Sequence, residues 1–151
     1  PHFVGSQSPY PSPIGCNCGF RRSVWVAVGG FNEVLAVSND ESEFFWKAAR
    51  QGFTYARVPD AIVHQRLRAD PLKIIRREFH AGIGDVLAYS TSRELGSERE
   101  SWGRSLHVYA WIARLAIPGL WYRPRRWQVL RLAARRLGRM RESIRLGVRY
   151  L

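Results

Sequence analysis

The sequence predicts an α/β fold over residues 1–70 and a mostly α-helical, basic segment over residues 71–151. Short alternating apolar runs and helical patterns follow one another in the first part, whereas the second part has helical periodicity alone. Residues 1–70 carry seven Lys and Arg against six Asp and Glu, and residues 71–151 carry 17 against six. The content of 46% hydrophobic and 24% charged residues excludes a disordered chain. The net charge of +12 predicts a negatively charged partner.

The first part predicts alternating strands and helices after a Pro- and Ser-rich loop over residues 1–13. Gly29-Gly30 ends the first helix, and Asn39 or Asp40 caps the second. A turn at Pro59-Asp60 joins the last two strands. The predicted elements are strands over 14–20, 53–58 and 61–64 and helices over 21–28 and 41–51.

The second part predicts three helices. The first begins at Asp70-Pro71 and runs to about Tyr89, since Pro is favoured at the first helical position. The others cover about 102–117 and 124–150, and the apolar stretch 106–121 is shorter than the roughly 20 residues of a membrane span. The last helix has an apolar heptad stripe with arginines largely off it, which predicts a basic amphipathic helix. The stripe consists of Leu130, Leu137, Ile144 and Leu151.

Three polar groups are candidates for chemistry, and each also has a purely structural interpretation. The acidic residues at Asp40–Glu43 either cap a helix or hold a general base at the edge of a pocket. His64 at a strand end is either a hydrogen-bonded core histidine or a metal ligand. Arg66 and Arg68 are either solvated or bind a diphosphate. Cys16 and Cys18 are expected to be reduced thiols, because a disulfide over so short a loop is strained.

The order of these motifs resembles the C-terminal half of family 2 glycosyltransferases, which have the Rossmann-like GT-A fold. The resemblance covers about residues 13–68 and rests on five pieces in sequence. They are GCNCGFRR at 15–22, VGGFNE at 28–33, NDESEFFWK at 39–47, GF at 52–53 and VPDAIVHQR at 58–66. The resemblance implies a partial GT-A domain over residues 1–70, with the nucleotide-binding half and its Asp-x-Asp motif before Pro1.

The resemblance also implies residue roles. Glu41 matches the base that deprotonates the acceptor hydroxyl, and Asp40 is the alternative because the two acids are in reversed order. His64 matches a ligand of a divalent metal, Mg²⁺ or Mn²⁺, whose main ligands are expected upstream. The expected acceptor-binding residues are Asn17, Glu43 and Trp46, and the expected donor diphosphate-binding residues are Arg66 and Arg68.

The implied function is the inverting, metal-dependent transfer of a sugar from a nucleotide-sugar donor to a glycan or lipid-linked acceptor in bacterial cell-wall or polysaccharide synthesis. This chain is expected to be inactive alone. Trp and Arg residues in 71–151 predict contact with an anionic membrane, at the cytoplasmic face of the plasma membrane. One alternative is a non-catalytic membrane- or nucleic-acid-binding module, although no nucleic-acid motif is present. Another is an enzyme-like scaffold that has lost its activity.

Overall fold

The computed structural model describes residues 13–36, 38–66, 69–95 and 97–150, and these contain five α-helices and no β-strand. Short 3-10 turns at Gly15–Asn17, Glu33–Leu35 and Arg93–Leu95 connect some of them. The predicted loop 1–13 lies almost wholly outside the described residues. The helices are α1 (Arg22–Val28), α2 (Asp40–Arg50), α3 (Pro71–Thr91), α4 (Trp102–Trp121) and α5 (Arg123–Leu146).

The predicted α/β fold is wrong for the described residues, and with it the partial GT-A, Rossmann-like domain. Residues 14–20 contain a 3-10 turn, and residues 53–58 and 61–64 have no regular secondary structure and pair with no strand among the described residues. Alternating side chains indicate an extended backbone, but a strand also needs hydrogen bonds to a neighbour. Here these segments remain solvent-exposed, and Ile62 keeps 73% of its surface exposed.

The predicted helix termini are largely confirmed. Asp70 caps α3 by accepting hydrogen bonds from the backbone of Leu72 and Lys73, with Pro71 in the first turn. Gly29 ends α1 at φ 85°, in the left-handed region where glycine carries no steric penalty. Helix α4 extends past its predicted end through Pro118, and α5 ends at Leu146, before Gly147.

Helices α3, α4 and α5 form the main packed unit, in which α5 contacts both of the others. Two glycines allow the close approach of α3 and α5. A Cβ on Gly138 would lie 2.0 Å from the carbonyl oxygen of Phe79, and one on Gly82 would lie 2.1 Å from that of Arg135. Backbone therefore meets backbone at this crossing, and a methyl group at either position requires the helices to separate.

Apolar clusters on α3 anchor the neighbouring segments. Ile83, Leu87 and Ala88 pack against Leu35 of the second 3-10 turn, and Tyr89 packs against Tyr150 after α5. A separate aromatic cluster joins the start of the chain to α2 through ring contacts. Its members are Phe20, Trp25, Phe31, Phe44 and Phe45.

The heptad stripe of α5 does not form the packed face that an amphipathic pattern usually indicates. Leu137 keeps 52% and Ile144 keeps 75% of its surface exposed, whereas Arg136 and Arg139 are buried. Leu151 lies outside the described residues. The carboxylates of Asp85 and Glu100, which lie outside α5, accept hydrogen bonds from these buried guanidinium groups. Helix α5 thus buries Arg136 and Arg139 while Leu137 and Ile144 stay exposed.

Candidate functional site

Glu41 lies beside the 3-10 turn at residues 15–17, and that turn also contacts the segment around residues 61–65. This glutamate occupies the first turn of α2, and a Cβ on Gly15 would lie 3.1 Å from the Glu41 carboxyl carbon. The Asn17 amide donates a hydrogen bond of 2.8 Å to the carbonyl oxygen of Ala61, and the Cys16 thiol lies 3.9 Å from Gln65 Oε1. Residues 15–17 therefore connect the start of α2 to the segment around residues 61–65.

The protonation of Glu41 is shifted toward the neutral form. Burial raises its pKa, and the hydrogen bond with Asp40 and the charge of that neighbour raise it further. Backbone hydrogen bonds from Glu41 itself and from Gly15 act in the opposite direction. A half-buried carboxylate with a raised pKa is a stronger proton acceptor than an ordinary glutamate.

The same carboxylates affect the nearby thiol. Burial raises the pKa of Cys18, and the negative charges of Glu41, Cys16 and Asp40 add to the rise. Cys16 and Cys18 are free thiols, as expected, although neither lies on a strand. The low reactivity that this implies for the Cys18 thiol argues for a packing role and against a nucleophile.

Glu43 and Trp46 are buried in α2. The Glu43 Oε1 atom accepts a hydrogen bond of 3.0 Å from the Asn32 amide and lies 3.1 Å from the Lys47 ammonium. Its Oε2 atom is buried without a partner among the described residues. Trp46 is fully buried. Both residues help to fix the position of α2, and their predicted contacts with an acceptor stay predictions.

His64 and Arg66 are exposed on the extended segment that follows residue 60, and Arg68 lies outside the described residues. No group of three or more His, Cys, Asp or Glu side chains within the described ranges is arranged to hold a metal ion. The part of the chain that the structure describes therefore does not supply a ligand set around His64. The predicted metal-ligand role of His64 stays a prediction.

A second cluster of charges joins α3, α5 and the loop before α4. Asp85 is fully buried and accepts hydrogen bonds from Arg135 at 2.9 and 2.8 Å and from Arg139 at 2.8 Å. Glu100 accepts from Arg139 at 2.8 Å and from Arg136. Burial alone raises the pKa of Asp85, but the bonds and charges of the two arginines outweigh it and lower the pKa.

Sequence reasoning overlooked this cluster. Its signal is the single acid Asp85 within the apolar run of α3, since an acid there needs a buried cation. Burial similarly raises the pKa of Tyr150 to about 12, so its hydroxyl stays neutral beside Arg139. The cluster joins α3, α5 and the loop before α4 through buried ion pairs.

Helices α4 and α5 share a surface of exposed large apolar side chains, which we call the apolar surface. The Tyr109 ring on α4 lies 5.1 Å from the Arg136 guanidinium carbon of α5, one turn before Met140. At the other end, the Arg149 guanidinium carbon lies 5.2 Å from the Trp102 ring. These contacts join two aromatic members of the surface on α4 to arginines of α5 and of the segment after it. The surface consists of Trp102, Leu106, Tyr109, Ile117 and Trp121 of α4 and Leu130, Leu137, Met140 and Ile144 of α5.

None of the helices in the described ranges is long and apolar enough to cross a membrane. The apolar surface could have been found from the sequence, because the α4 members recur at helical spacing in the stretch 102–121. Spacing alone does not tell an exposed face from a buried one, and the exposure comes from the structure.

Comparisons with protein-family models, with curated proteins and with solved structures gave no match for this chain. Together with the all-helical architecture of the described residues, this overturns the resemblance to family 2 glycosyltransferases. The five sequence pieces are each short and built from common residues, so their order alone misidentified the fold.

Proposed function

We propose that Glu41 removes the proton from an acceptor hydroxyl in a transfer reaction. The observation that carries this proposal is the position of Glu41, which is half-buried against the 3-10 turn at residues 15–17 and has a raised pKa. The proposed group is a sugar, donated by a nucleotide-sugar to a glycan or lipid-linked acceptor. The choice of sugar and donor rests on sequence motifs alone, while the geometry supports the proton transfer.

In the proposed reaction the acceptor oxygen bonds to the anomeric carbon while the bond from that carbon to the donor phosphate breaks. The acceptor proton passes to a Glu41 carboxylate oxygen, and the diphosphate leaves with the bonding electrons. A carboxylate that holds a proton more tightly than an ordinary glutamate is the stronger base for this step. Asp40, the adjacent acid, tunes Glu41 through its hydrogen bond and charge.

The test is a sugar-transfer assay on a protein that contains this chain, with Glu41→Gln as the variant. Glutamine keeps the shape but cannot take a proton, so turnover falls about 10²- to 10⁴-fold while donor binding persists. Glu33→Gln is the matched control, since Glu33 is exposed on the second 3-10 turn. Turnover within threefold of the unmodified protein in Glu41→Gln removes Glu41 as the base.

The second candidate function is attachment of the helical part to an anionic membrane surface. The observation that favours it is the apolar surface, where Ile117 is 72% and Trp121 is 87% exposed. Tryptophan and aliphatic side chains on one face of a helix are typical of insertion into the headgroup region. The proposed site of action is the cytoplasmic leaflet, which carries anionic lipids.

The charges around the apolar surface complement such a leaflet. Residues 102–150 contain twelve arginines and one acid, Glu142, which is buried. Arg141 and Arg145 keep more than half of their side-chain surface exposed, and Arg114 and Arg123 are also exposed. Each basic residue close to an anionic membrane contributes about 1 kcal/mol.

Vesicle sedimentation tests this candidate with a pair of substitutions at equally exposed isoleucines. Ile117→Glu is expected to release the chain from phosphatidylcholine vesicles that contain phosphatidylglycerol, whereas Ile62→Glu leaves binding unchanged. Moderate salt is expected to weaken binding. Equal binding to neutral vesicles contradicts the charge contribution. A dimer in sedimentation velocity that Ile117→Glu dissociates would instead identify the surface as a contact between copies of this chain.

A further inference from the structure

We propose that Asn39 is a positioning residue for Glu41, and that it acts through the left-handed backbone conformation in which α3 holds it. Asn39 occupies the N-cap position of α2, directly before Asp40 and Glu41. Its conformation therefore sets where the first turn of α2, which carries both acids, begins. This inference rests on the proposed role of Glu41 as the base and adds the residue that fixes the place of its carboxylate.

The backbone of Asn39 is unusual for the start of a helix. Its φ of 74° and ψ of 10° lie in the left-handed region, whereas an N-cap residue ordinarily has extended backbone angles. Among the described residues, Asn39 is the only one other than glycine with a positive φ. Asparagine tolerates this conformation better than most residues with a side chain, and alanine disfavours it. The path of the chain into α2 therefore depends on the residue type at this position.

The side chain of Asn39 contacts α3 instead of capping α2. It forms no hydrogen bond with the first turn of α2, although capping that turn is the usual role of asparagine at this position. Its Nδ2 atom donates a hydrogen bond of 3.4 Å to Oδ1 of Asp85. Asp85 is fully buried and paired with Arg135 and Arg139, so it gives Asn39 a fixed partner.

Close packing of the preceding residues holds the same turn against α3. A Cβ on Gly84 would lie 2.6 Å from the Cβ of Ser38 and 3.0 Å from its carbonyl oxygen. Leu35 is fully buried and packs in one cluster with Ile83 and Leu87. The turn that leads into α2 therefore lies directly on the α3 backbone and has little room to change its path.

The conformation of Asn39 leaves the start of α2 open to the Glu41 carboxylate. The backbone N–H of Glu41 is an ordinary target of an N-cap side chain, but here it donates to the Glu41 carboxylate itself. The backbone N–H of Gly15 is a second donor to that carboxylate. A displaced first turn would break this arrangement and move Glu41 away from Gly15. Displacement of a catalytic group by about 1 Å is enough to lower turnover about 100-fold.

The test compares two substitutions at position 39 of the full chain, first without any substrate. Asn39→Ala disfavours the left-handed conformation and Asn39→Gly retains it, while both remove the hydrogen bond to Asp85. Carbon-13 NMR is expected to show that Asn39→Ala lowers the Glu41 pKa toward the ordinary glutamate value, because burial of the carboxylate is reduced. Asn39→Gly is expected to keep that pKa raised.

The sugar-transfer assay gives the second measurement, on a protein that contains this chain. Asn39→Ala is expected to lower kcat about 10- to 100-fold with the KM for the nucleotide-sugar unchanged, and Asn39→Gly is expected to restore most of it. Ser101→Ala is the matched control, because Ser101 caps α4 by accepting a hydrogen bond of 3.3 Å from the Arg104 backbone. The control is expected to lower Tm without changing the Glu41 pKa or kcat.

Two results would overturn the proposal. One is a Glu41 pKa that is equal in Asn39→Ala and in the unmodified chain. The other is an equal fall of that pKa in Asn39→Ala and Asn39→Gly, which would assign the effect to the lost side-chain bond. Asn39 is only partly buried, so both variants are expected to fold, and circular dichroism checks that they do. These results need no substrate, so they differ from failure of Glu41 as the base, which Glu41→Gln detects in the transfer assay.

Discussion

Removing the charge of Asp85 by Asp85→Asn is expected to destabilise the helical part severely. Asp85 is fully buried, and it is bonded to Arg135 and Arg139 through both of its oxygens. Asparagine keeps one acceptor oxygen, but its NH₂ group replaces the second. That NH₂ group would face guanidinium groups, which are also donors and cannot accept its hydrogen bonds. Breaking a buried ion pair from one side costs about 3–5 kcal/mol because the remaining charge stays buried. For a chain of this size that corresponds to a fall in Tm of about 6–20 °C.

The assay is urea unfolding followed by circular dichroism, with Asp60→Asn as the control, because Asp60 is exposed in a turn. The control is expected to change stability by less than about 0.5 kcal/mol. The Asp85 pKa is lowered in the folded state, so its stabilisation is present above the ordinary carboxyl value and lost as pH falls below it. The variant should therefore lose less stability than the unmodified chain on acidification. A loss below about 1 kcal/mol in Asp85→Asn would refute the buried ion-pair reasoning.

The remaining predictions concern packing and protonation at single residues. Gly138→Ala is expected to destabilise the chain by about 1–3 kcal/mol in urea unfolding, because its methyl group meets the α3 backbone. A methyl group at Gly103 in α4 meets nothing within 4 Å, so Gly103→Ala is expected to stabilise the chain by up to about 1 kcal/mol. Equal changes in stability for Gly138→Ala and Gly103→Ala would contradict the close packing at Gly138. Carbon-13 NMR is expected to show a Glu41 pKa above the ordinary glutamate value that Asp40→Asn lowers, and an unchanged pKa would remove Asp40 as its cause. Alkylation of Cys18 is expected to be slow and to accelerate in Glu41→Gln, and a rate that does not change would contradict the charge coupling.

Helices were predictable from the sequence where their ends carry a local chemical signal. The Asp70-Pro71 pair and Gly29 act within one turn of backbone, so a single chain without relatives suffices to place them. The C-terminal end of α4 was placed too early because Pro118 usually ends a helix, yet here it lies inside the last turn. Pro118 removes one backbone hydrogen bond to the carbonyl four residues earlier, and the helix continues only to Trp121.

The sheet was wrongly predicted because strand formation depends on residues far away in sequence. The run Ala61–His64 has β-branched residues and would pair well, but no described segment offers its backbone to it. An isolated extended segment is also compatible with the same local pattern. The family resemblance strengthened the wrong prediction, since the motifs implied a sheet that the described residues do not contain.

The roles predicted for the site residues stay predictions, but some of their contacts were foreseeable. Asn17 was predicted to bind the acceptor and Glu41 to act as the base, and residues 15–17 contact both the start of α2 and the segment around Ala61. Arg66 was expected near the same site, but it is exposed and its part in a site stays a prediction. A wrong fold prediction can still place neighbouring segments in contact correctly, because local turns and helix starts are common to many folds.

The reversed polarity of α5 shows why a heptad pattern does not by itself identify the packed face. Burying arginines costs desolvation, which only paired carboxylates can offset, and α3 and the loop before α4 provide Asp85 and Glu100. Once these acids fix the arginine side inward, Leu137 and Ile144 must face outward. The outer side of α5 therefore carries aliphatic side chains beside exposed arginines such as Arg141, and this combination suits the surface of an anionic membrane. In the proposed membrane attachment, the buried ion pairs thus determine which side of α5 the lipid would meet.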